Sequence, residues 1–169
     1  MKIVEVTQSE IQYRIYAPGA FKRTTLMKFA ELITQGGETN NRNINRNLRE
    51  AHAIAFARKD GEPIAVAIVK NPHASYRDKV FTAAGVSELA PQFNLELGYV
   101  MTNPAFRGQG VSTKLMALIQ QNVRSPMFST TRQNNSIMNQ MLQAGGFKQT
   151  GNPYDSTLVG KHKLILWTK

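Results

Sequence analysis

The sequence contains no cysteine among its 169 residues. This absence excludes a disulfide framework, a thiol nucleophile and thiolate metal ligands. Histidine is scarce as well: His52, His73 and His162 lie far apart and form no pair at the spacing of a zinc site. The sequence therefore predicts no bound metal ion.

Long apolar runs are also missing. No segment approaches the roughly 18 apolar residues that a membrane-spanning helix needs. The N-terminal MKIVEVTQSE has neither the apolar stretch nor the small-residue cleavage site of a secretory signal. We therefore expect a cytoplasmic protein with no membrane partner.

Acidic residues are few compared with basic ones. Eleven Asp and Glu face 21 Lys and Arg, which gives a net charge of +10 and a sequence pI near 10.1. Such a charge attracts nucleic acid or a phosphate-rich cofactor, or it serves solubility alone. After Glu62 the only carboxylates are Asp78, Glu88, Glu96 and Asp155. A catalytic base in that stretch would have to be one of these four.

The apolar pattern predicts a single α/β domain. Hydrophobic residues make up 41% of the chain, enough for a sizeable core. Alternation and helical periodicity place strands at 2–6, 52–59, 63–70, 95–102, 127–131, 147–150 and 163–168, and helices at 21–35, up to about 51, around 76–84, at 112–123 and at 135–144. We expect a mixed, mostly antiparallel sheet of about six to seven strands with helices on both faces.

One strand-to-helix loop carries a chemical signal. The strand over 95–102 ends at Asn103-Pro104, and Arg107, Gly108 and Gly110 follow directly before a helix. Glycines let the backbone approach a ligand closely, and the N–H groups of a helix start suit a phosphate. The loop is not a Walker A motif, because Lys114 follows Ser112-Thr113 instead of preceding them. It does not complete a dinucleotide fingerprint either, because Thr113 replaces the third glycine.

The loop resembles the [QR]-x-x-G-x-[GA] segment of the GNAT superfamily of acyl-CoA N-acyltransferases. Arg107-Gly108-Gln109-Gly110-Val111-Ser112 matches it, with Ser112 at the position of Gly or Ala. Asn135, eleven residues before Gly146-Phe147, is similar to the family's next helix. The resemblance is strong over 95–150 and only architectural over 1–94. It implies a single N-acyltransferase-like domain over 1–169: an acceptor-side half (1–94), an acyl-CoA-binding core (95–150) and closing strands (151–169).

The resemblance also implies a donor site for acetyl-CoA. The backbone of Met101 and Thr102 would hold the pantetheine arm and the acyl carbonyl. The pyrophosphate would bind the loop formed by Arg107, Gly108, Gln109, Gly110, Val111 and Ser112. Asn135 would reach the pantetheine or thiol region, or act as a helix N-cap, or both.

The family's chemistry is direct attack of an amine on the thioester, which needs a base. Glu96 lies where the family often places that base, and alternation directs it away from Leu95 and Leu97. The alternative is an ordinary glutamate on the sheet surface. Leu142 stands where the family often has a tyrosine that protonates the thiolate. Tyr154 or Tyr99 would have to substitute, or the thiolate leaves unassisted.

Three arginines suggest an acceptor. Arg42, Arg46 and Arg49 would share one face of the short second helix, beside the family's acceptor cleft. A basic face of this kind favours an anionic acceptor, which would be RNA-linked, a protein or a small molecule. The alternative is that the three arginines only form a solvated surface. The resemblance implies an N-acetyltransferase acting on a primary amine. The alternative is a non-catalytic, basic nucleic-acid or protein-binding module with the same fold. A homodimer is left open.

Overall fold

The fold is described by a computed structural model covering residues 10–37, 41–157 and 162–169. The strand expected at 2–6 lies outside these residues. The strands are β1 (Gln12–Tyr16), β2 (Ala53–Lys59), β3 (Glu62–Lys70), β4 (Leu95–Thr102), β5 (Met127–Arg132), β6 (Lys148–Asp155) and β7 (Lys163–Thr168). The α-helices are α1 (Arg23–Gln35), α2 (Ile44–Arg49), α3 (Ala74–Ala83), α4 (Val111–Asn122) and α5 (Ser136–Ala144).

The seven strands form one sheet in the order β1-β2-β3-β4-β5-β7-β6. Only the pair of central strands β4 and β5 is parallel, and the other five pairs are antiparallel. The turn between β2 and β3 is the Asp60-Gly61 pair, and both residues have positive φ, as a two-residue hairpin turn requires. The expected mixed, mostly antiparallel sheet is confirmed.

Helices cover both faces of the sheet. On one face Leu115 and Ile119 of α4 and Leu142 of α5 are buried in one cluster that also contains the small residues of β2 and β3. On the other face α1 and α2 cover Ile54, Phe56 and Ile68, and α3 packs on Phe128 and Leu166. Glu96, the buried carboxylate of β4, lies on this second face, between α2 and α3.

Two strands differ from the sequence-based expectation. β1 was not predicted: it is a short edge strand, and only Tyr13 and Ile15 are partly buried, so its apolar alternation is weak. β6 continues past the predicted end at 150 through Gly151 to Asp155. The sequence Gly151-Asn152-Pro153 is typical of a turn, but these residues form an irregularity in the β6–β7 ladder. This irregular segment contacts the end of α3, where Asn152 N donates to Ala84 O at 2.9 Å.

Within the described segments, no helix is long and apolar enough to cross a membrane. The same segments contain no group of three or more His, Asp or Glu side chains placed to hold a metal ion.

Candidate active site

The two parallel strands separate soon after they meet. β4 pairs with β5 only at Leu95↔Met127 and Glu96↔Phe128. One residue further on, Ser129 Oγ donates to Leu97 O at 2.8 Å, so a side chain takes the place of the backbone ladder. Beyond this point no ladder pair joins the described residues of β4 and β5, so this edge of β4 borders a gap in the sheet that suits an extended ligand along the strand.

A bulge in β4 lies beside this gap. Ile68 pairs with Gly98 and Val66 pairs with Met101, so β4 holds one more residue than β3 over this stretch. Tyr99 absorbs the extra length with φ of 49°, an uncommon conformation for a residue other than glycine. The bulge turns the backbone between Gly98 and Met101 out of the regular ladder, directly before the glycine loop.

The glycine loop links the end of β4 to the start of α4. Gly108 and Gly110 both have φ of 75°, and a Cβ placed on either would meet no atom within 4 Å. The space above the loop is therefore open to a ligand. Gly110 is the N-cap of α4, whose first N–H groups and positive dipole end suit an anion.

Hydrogen bonds join the loop to the end of β4. Arg107 Nε donates to Thr102 O at 3.2 Å, and the Thr102 and Ser112 hydroxyl oxygens are 2.6 Å apart. The Arg107 side chain stays exposed and brings its charge to the loop. The structure thus brings together, at one end of the gap, five residues that were predicted to bind acetyl-CoA: Thr102, Arg107, Gly108, Gly110 and Ser112.

A second helix begins at the same edge of the sheet. Because β4 and β5 are parallel and each leads into a helix, α4 and α5 both start at the carboxyl edge. Asn135 is the N-cap of α5, and its Oδ1 accepts from Met138 N at 3.1 Å. The capping role that the sequence left open for Asn135 is present; its role toward a ligand stays a prediction.

Glu96 is a buried carboxylate at the closed end of the gap. Its strand partners are Lys70 and Phe128, and Lys70 lies two residues from Ile68, so Glu96 shares the face covered by α1, α2 and α3. Its side chain is 4% exposed. Leu95 and Leu97 point to the opposite core, as the alternation predicts.

Both carboxylate oxygens of Glu96 are engaged. Lys70 Nζ lies 2.9 Å from Oε2, and Tyr76 Oη donates to Oε1 at 3.0 Å. The Lys70 ammonium also lies 4.8 Å above the centre of the Tyr99 ring, and Asn47 Nδ2 donates to Tyr99 Oη at 2.8 Å. The Lys70 side chain passes through the space where a Cβ on Gly98 would lie. A connected polar cluster therefore fills the space between α2 and α3.

Two tyrosines in this cluster have perturbed acidities. Burial is the main cause that raises the pKa of Tyr76 above its ordinary value, followed by the charge of Glu96 and its hydrogen bond. Burial and then the Glu96 charge also raise the pKa of Tyr154. Tyr154 Oη is buried and has no hydrogen-bond partner among the described residues. Both hydroxyls therefore remain protonated through the neutral range.

Leu142 lies in the core and not at the gap. It is fully buried against the α4 side of the sheet, and it carries no acidic proton. Tyr99 and Tyr154 were the suggested replacements for the family's tyrosine. The Tyr99 hydroxyl accepts a hydrogen bond from Asn47, whereas the Glu96 charge raises the pKa of Tyr154.

The three arginines do not form a single helical face. α2 begins at Ile44, so Arg42 precedes it in a short 3₁₀ helix, and only Arg46 and Arg49 belong to α2. The prediction of one helix carrying all three was wrong because α2 spans only six residues and begins after Arg42. All three remain exposed.

Sequence reasoning missed Lys70 and Tyr76. Lys70 ends an apolar strand and Tyr76 lies in the first turn of α3, so neither belongs to a motif. The only available signal was the register of a β3–β4 pairing, which places Lys70 opposite Glu96.

The chain is similar to known acyltransferases in sequence and in fold. The Acetyltransferase (GNAT) family model matches residues 23–147. An acyl-CoA N-acyltransferase from Pseudomonas aeruginosa superposes with a TM-score of 0.65 at 14% identity, over 95% of this chain and 99% of that one. The Escherichia coli ribosomal-protein-S18-alanine N-acetyltransferase gives 0.63 at 13%, over 93% and 92%.

Arabidopsis thaliana NAA60, in a structure with acetyl-CoA, gives a TM-score of 0.69 at 11% identity, over 95% of this chain and 99% of that one. No curated protein matches the sequence. At these identities the solved structures establish the fold, and the family model covers about three quarters of the chain. The chain belongs to the Acetyltransferase (GNAT) family, the acyl-CoA N-acyltransferases.

Proposed function

We propose that the protein is an N-acetyltransferase that moves an acetyl group from acetyl-CoA to a primary amine. The observation that carries the proposal is the parting of β4 and β5, with an anion-suited loop at its open end and a buried carboxylate at its closed end. This arrangement offers a place for a phosphate-bearing thioester donor and a base for the amine.

The donor would bind along the gap. Its pyrophosphate would lie on the backbone of the loop formed by Arg107, Gly108, Gln109, Gly110, Val111 and Ser112, at the start of α4. Its pantetheine arm and acyl carbonyl would bond the backbone of Met101 and Thr102, and Asn135 would approach from α5. The open space above Gly108 and Gly110 supports this placement.

Glu96 would act as the base. An amine is mostly protonated near neutral pH, and it attacks a thioester only as the neutral species. A carboxylate beside the reaction centre lowers the barrier by accepting the proton as the carbon–nitrogen bond forms. A backbone N–H of the β4 bulge would stabilise the negative charge that develops on the carbonyl oxygen.

The acceptor would enter over the face that carries α2 and α3, because the Glu96 side chain lies there. The exposed Arg42, Arg46 and Arg49 would give that entrance a positive charge, which favours an acceptor with anionic groups around its amine. The acceptor would then be RNA-linked, a protein or a phosphorylated small amine.

The alternative is a binding module of the same fold without turnover. The burial of Leu142, where the family often has an acid, favours this alternative. The two functions differ in one measurement: free thiol released from acetyl-CoA in the presence of a panel of small amines, aminoacyl-RNA and peptides.

The matched variant is Glu96→Gln, which keeps the size of the side chain and removes its basicity. We expect it to lower the turnover number by roughly 10²–10⁴ with unchanged acetyl-CoA affinity. Acetyl-CoA binding without release of free thiol from acetyl-CoA in the presence of any acceptor would support the binding module. Wild-type turnover by Glu96→Gln would place the base elsewhere.

A further inference from the structure

Glu96 is enclosed by protein. Its side chain is 4% exposed, and Lys70 and Tyr76 occupy one carboxylate oxygen each. A base must exchange a proton with the substrate directly or through a group that links the two. Lys70 and Tyr76 are the two side chains that already hydrogen-bond this carboxylate, so each is a candidate to carry the proton from the acceptor amine.

Lys70 cannot pass a proton to Glu96 from the acceptor. A lysine ammonium has three donor hydrogens and no lone pair, so it cannot accept a proton from an amine. Its side chain is only 16% exposed and lies over the Tyr99 ring. Lys70 instead holds the Glu96 carboxylate in a fixed orientation through the ion pair with Oε2.

Tyr76 has the required chemistry and position. Its hydroxyl both donates and accepts, and the donated hydrogen already lies on Glu96 Oε1 at 3.0 Å. The residue is 41% exposed although its hydroxyl is turned inward, so the ring stands between solvent and the carboxylate. Burial and Glu96 raise the pKa of Tyr76, and a smaller effect of the Thr130 side chain on β5 lowers it, so the Tyr76 hydroxyl lies near residues of both β4 and β5.

We propose that Tyr76 is a catalytic residue that relays the proton of the acceptor amine to Glu96. The proposal rests on the proposed acetyltransferase function and adds the path by which the buried base is reached. It also assigns the wall of the acceptor cleft to α3, in the connection between β3 and β4.

The relay balances as follows. The amine nitrogen bonds the thioester carbon and gives a proton to Tyr76 Oη, while the Tyr76 hydroxyl proton moves to Glu96 Oε1. The carbon–sulfur bond breaks and sulfur leaves with the electron pair as a thiolate. Glu96 then returns its proton through Tyr76 to solvent, and solvent protonates the thiolate. Tyr76 is neutral before and after the reaction.

The surrounding charges favour a neutral relay. Burial and the adjacent Glu96 carboxylate raise the pKa of Tyr76 above its ordinary value. The titratable groups that face its hydroxyl are Glu96 on β4 and Tyr154 on β6, and Lys70 on β3 neutralises the far side of the carboxylate. Tyr76 therefore passes a proton without becoming a phenolate.

The test compares Tyr76→Phe with Tyr16→Phe. Tyr16 on β1 is 46% exposed, similar to Tyr76, and it lies in the edge strand away from the gap. With the best amine of the panel, we expect Tyr76→Phe to lower the turnover number roughly 10- to 100-fold, with acetyl-CoA affinity unchanged. The loss should shrink at higher pH or with added imidazole, which takes the proton in place of the relay. Tyr16→Phe should keep wild-type rates.

The outcomes separate the two proposals. A wild-type rate and pH profile in Tyr76→Phe, together with a loss in Glu96→Gln, would overturn the relay and leave the base in place. If the wild-type protein transfers no acetyl group, the proposed function itself is wrong. Should Tyr76→Phe fail to fold, 3,5-difluorotyrosine at position 76 keeps the hydroxyl and changes its acidity. An unchanged pH profile in that variant would also overturn the relay.

Discussion

Lys70 and Glu96 form a largely buried ion pair, and the loss of one partner destabilises the fold. Removal of Lys70 leaves a buried carboxylate without its counter-ion. We expect Lys70→Gln to lower the free energy of unfolding by about 2–4 kcal/mol, measured by urea denaturation.

The chain supplies its own control for this prediction. Lys28 and Glu62 form an ion pair at the same 2.8–2.9 Å separation, but their side chains are 47% and 65% exposed. Lys28→Gln should therefore change the free energy of unfolding by less than about 1 kcal/mol. Equal effects of the two substitutions would show that burial of the pair around Glu96 carries no energetic weight.

The unpartnered Tyr154 hydroxyl predicts a dependence on alkaline pH. Burial and the Glu96 charge raise the pKa of Tyr154 in the folded state, so the folded protein holds this proton more tightly than the unfolded chain. The resulting stability is complete below pH ~10, the pKa of an ordinary tyrosine, and is lost as the pH rises above it.

Tyr154→Phe removes that ionisation. In urea denaturation at a series of pH values, we expect the wild-type free energy of unfolding to fall more steeply above pH ~10 than that of Tyr154→Phe. Parallel curves for the two proteins would contradict the raised pKa of Tyr154 in the folded state. The comparison needs no acceptor substrate, so it stands apart from the proposed reaction.

At the scale of elements, the turn between β4 and α4 carries the donor prediction. Gly110 has φ of 75° with open space beyond it. Gly110→Asp would add a negative charge where the pyrophosphate is expected. We expect acetyl-CoA affinity, measured by calorimetry, to fall more than tenfold, at least about 1.4 kcal/mol.

Two variants separate charge from backbone strain. Gly110→Ala imposes the unfavourable positive φ without a charge, and Gly61→Asp adds the same charge at φ of 81° in the β2–β3 turn. Gly61→Asp should bind acetyl-CoA as the wild type does, and Gly110→Ala should bind it more tightly than Gly110→Asp. Unchanged affinity in a folded Gly110→Asp would exclude this loop as the phosphate site.

At the scale of the whole molecule, the net charge of +10 raises the question of where it acts. If the α2 face attracts the acceptor, Arg46→Gln with Arg49→Gln should raise the Michaelis constant of the acceptor and leave that of acetyl-CoA unchanged. The effect should weaken with salt, since exposed charges are screened within about 8–10 Å at 0.1–0.15 M.

The control removes two other exposed charges, by Arg124→Gln with Lys148→Gln. That variant has the same net charge as the α2 variant, so a general effect of charge would move both alike. A higher Michaelis constant for the acceptor in the α2 variant alone would show that the arginines of α2 attract the acceptor. Adding Arg42→Gln tests the arginine that precedes α2.

The sequence predicted most of the fold because its central elements carry strong local signals. Asp60-Gly61 fixes a hairpin, and the apolar runs on either side are buried strands. β1 and the second half of β6 escaped prediction because their strand conformation depends on neighbours. Gly151, for example, has φ of 67°, and a Cβ there would collide with the Ala84 carbonyl oxygen.

The site was predictable in part for a similar reason. The loop from Arg107 to Ser112 and the orientation of Glu96 follow from a short motif and strand alternation. The neighbours of Glu96 come from β3, α3 and β6, which are brought together only by the tertiary fold. Lys70 and Tyr76 therefore had no signal within their own segments.

The bare backbone of Gly98 has a consequence for the placement of charge in the cluster. A Cβ at this position would lie 2.8 Å from Cε of Lys70, so the path that the lysine takes to Glu96 needs the space left by a glycine. The contacted atoms are the flexible end of the lysine, so Gly98→Ala would shift this side chain and leave the strand backbone in place. One added carbon would thus reposition a cation without changing the number of charges in the protein. The missing side chain at position 98 thus leaves the room that the counter-ion of Glu96 occupies.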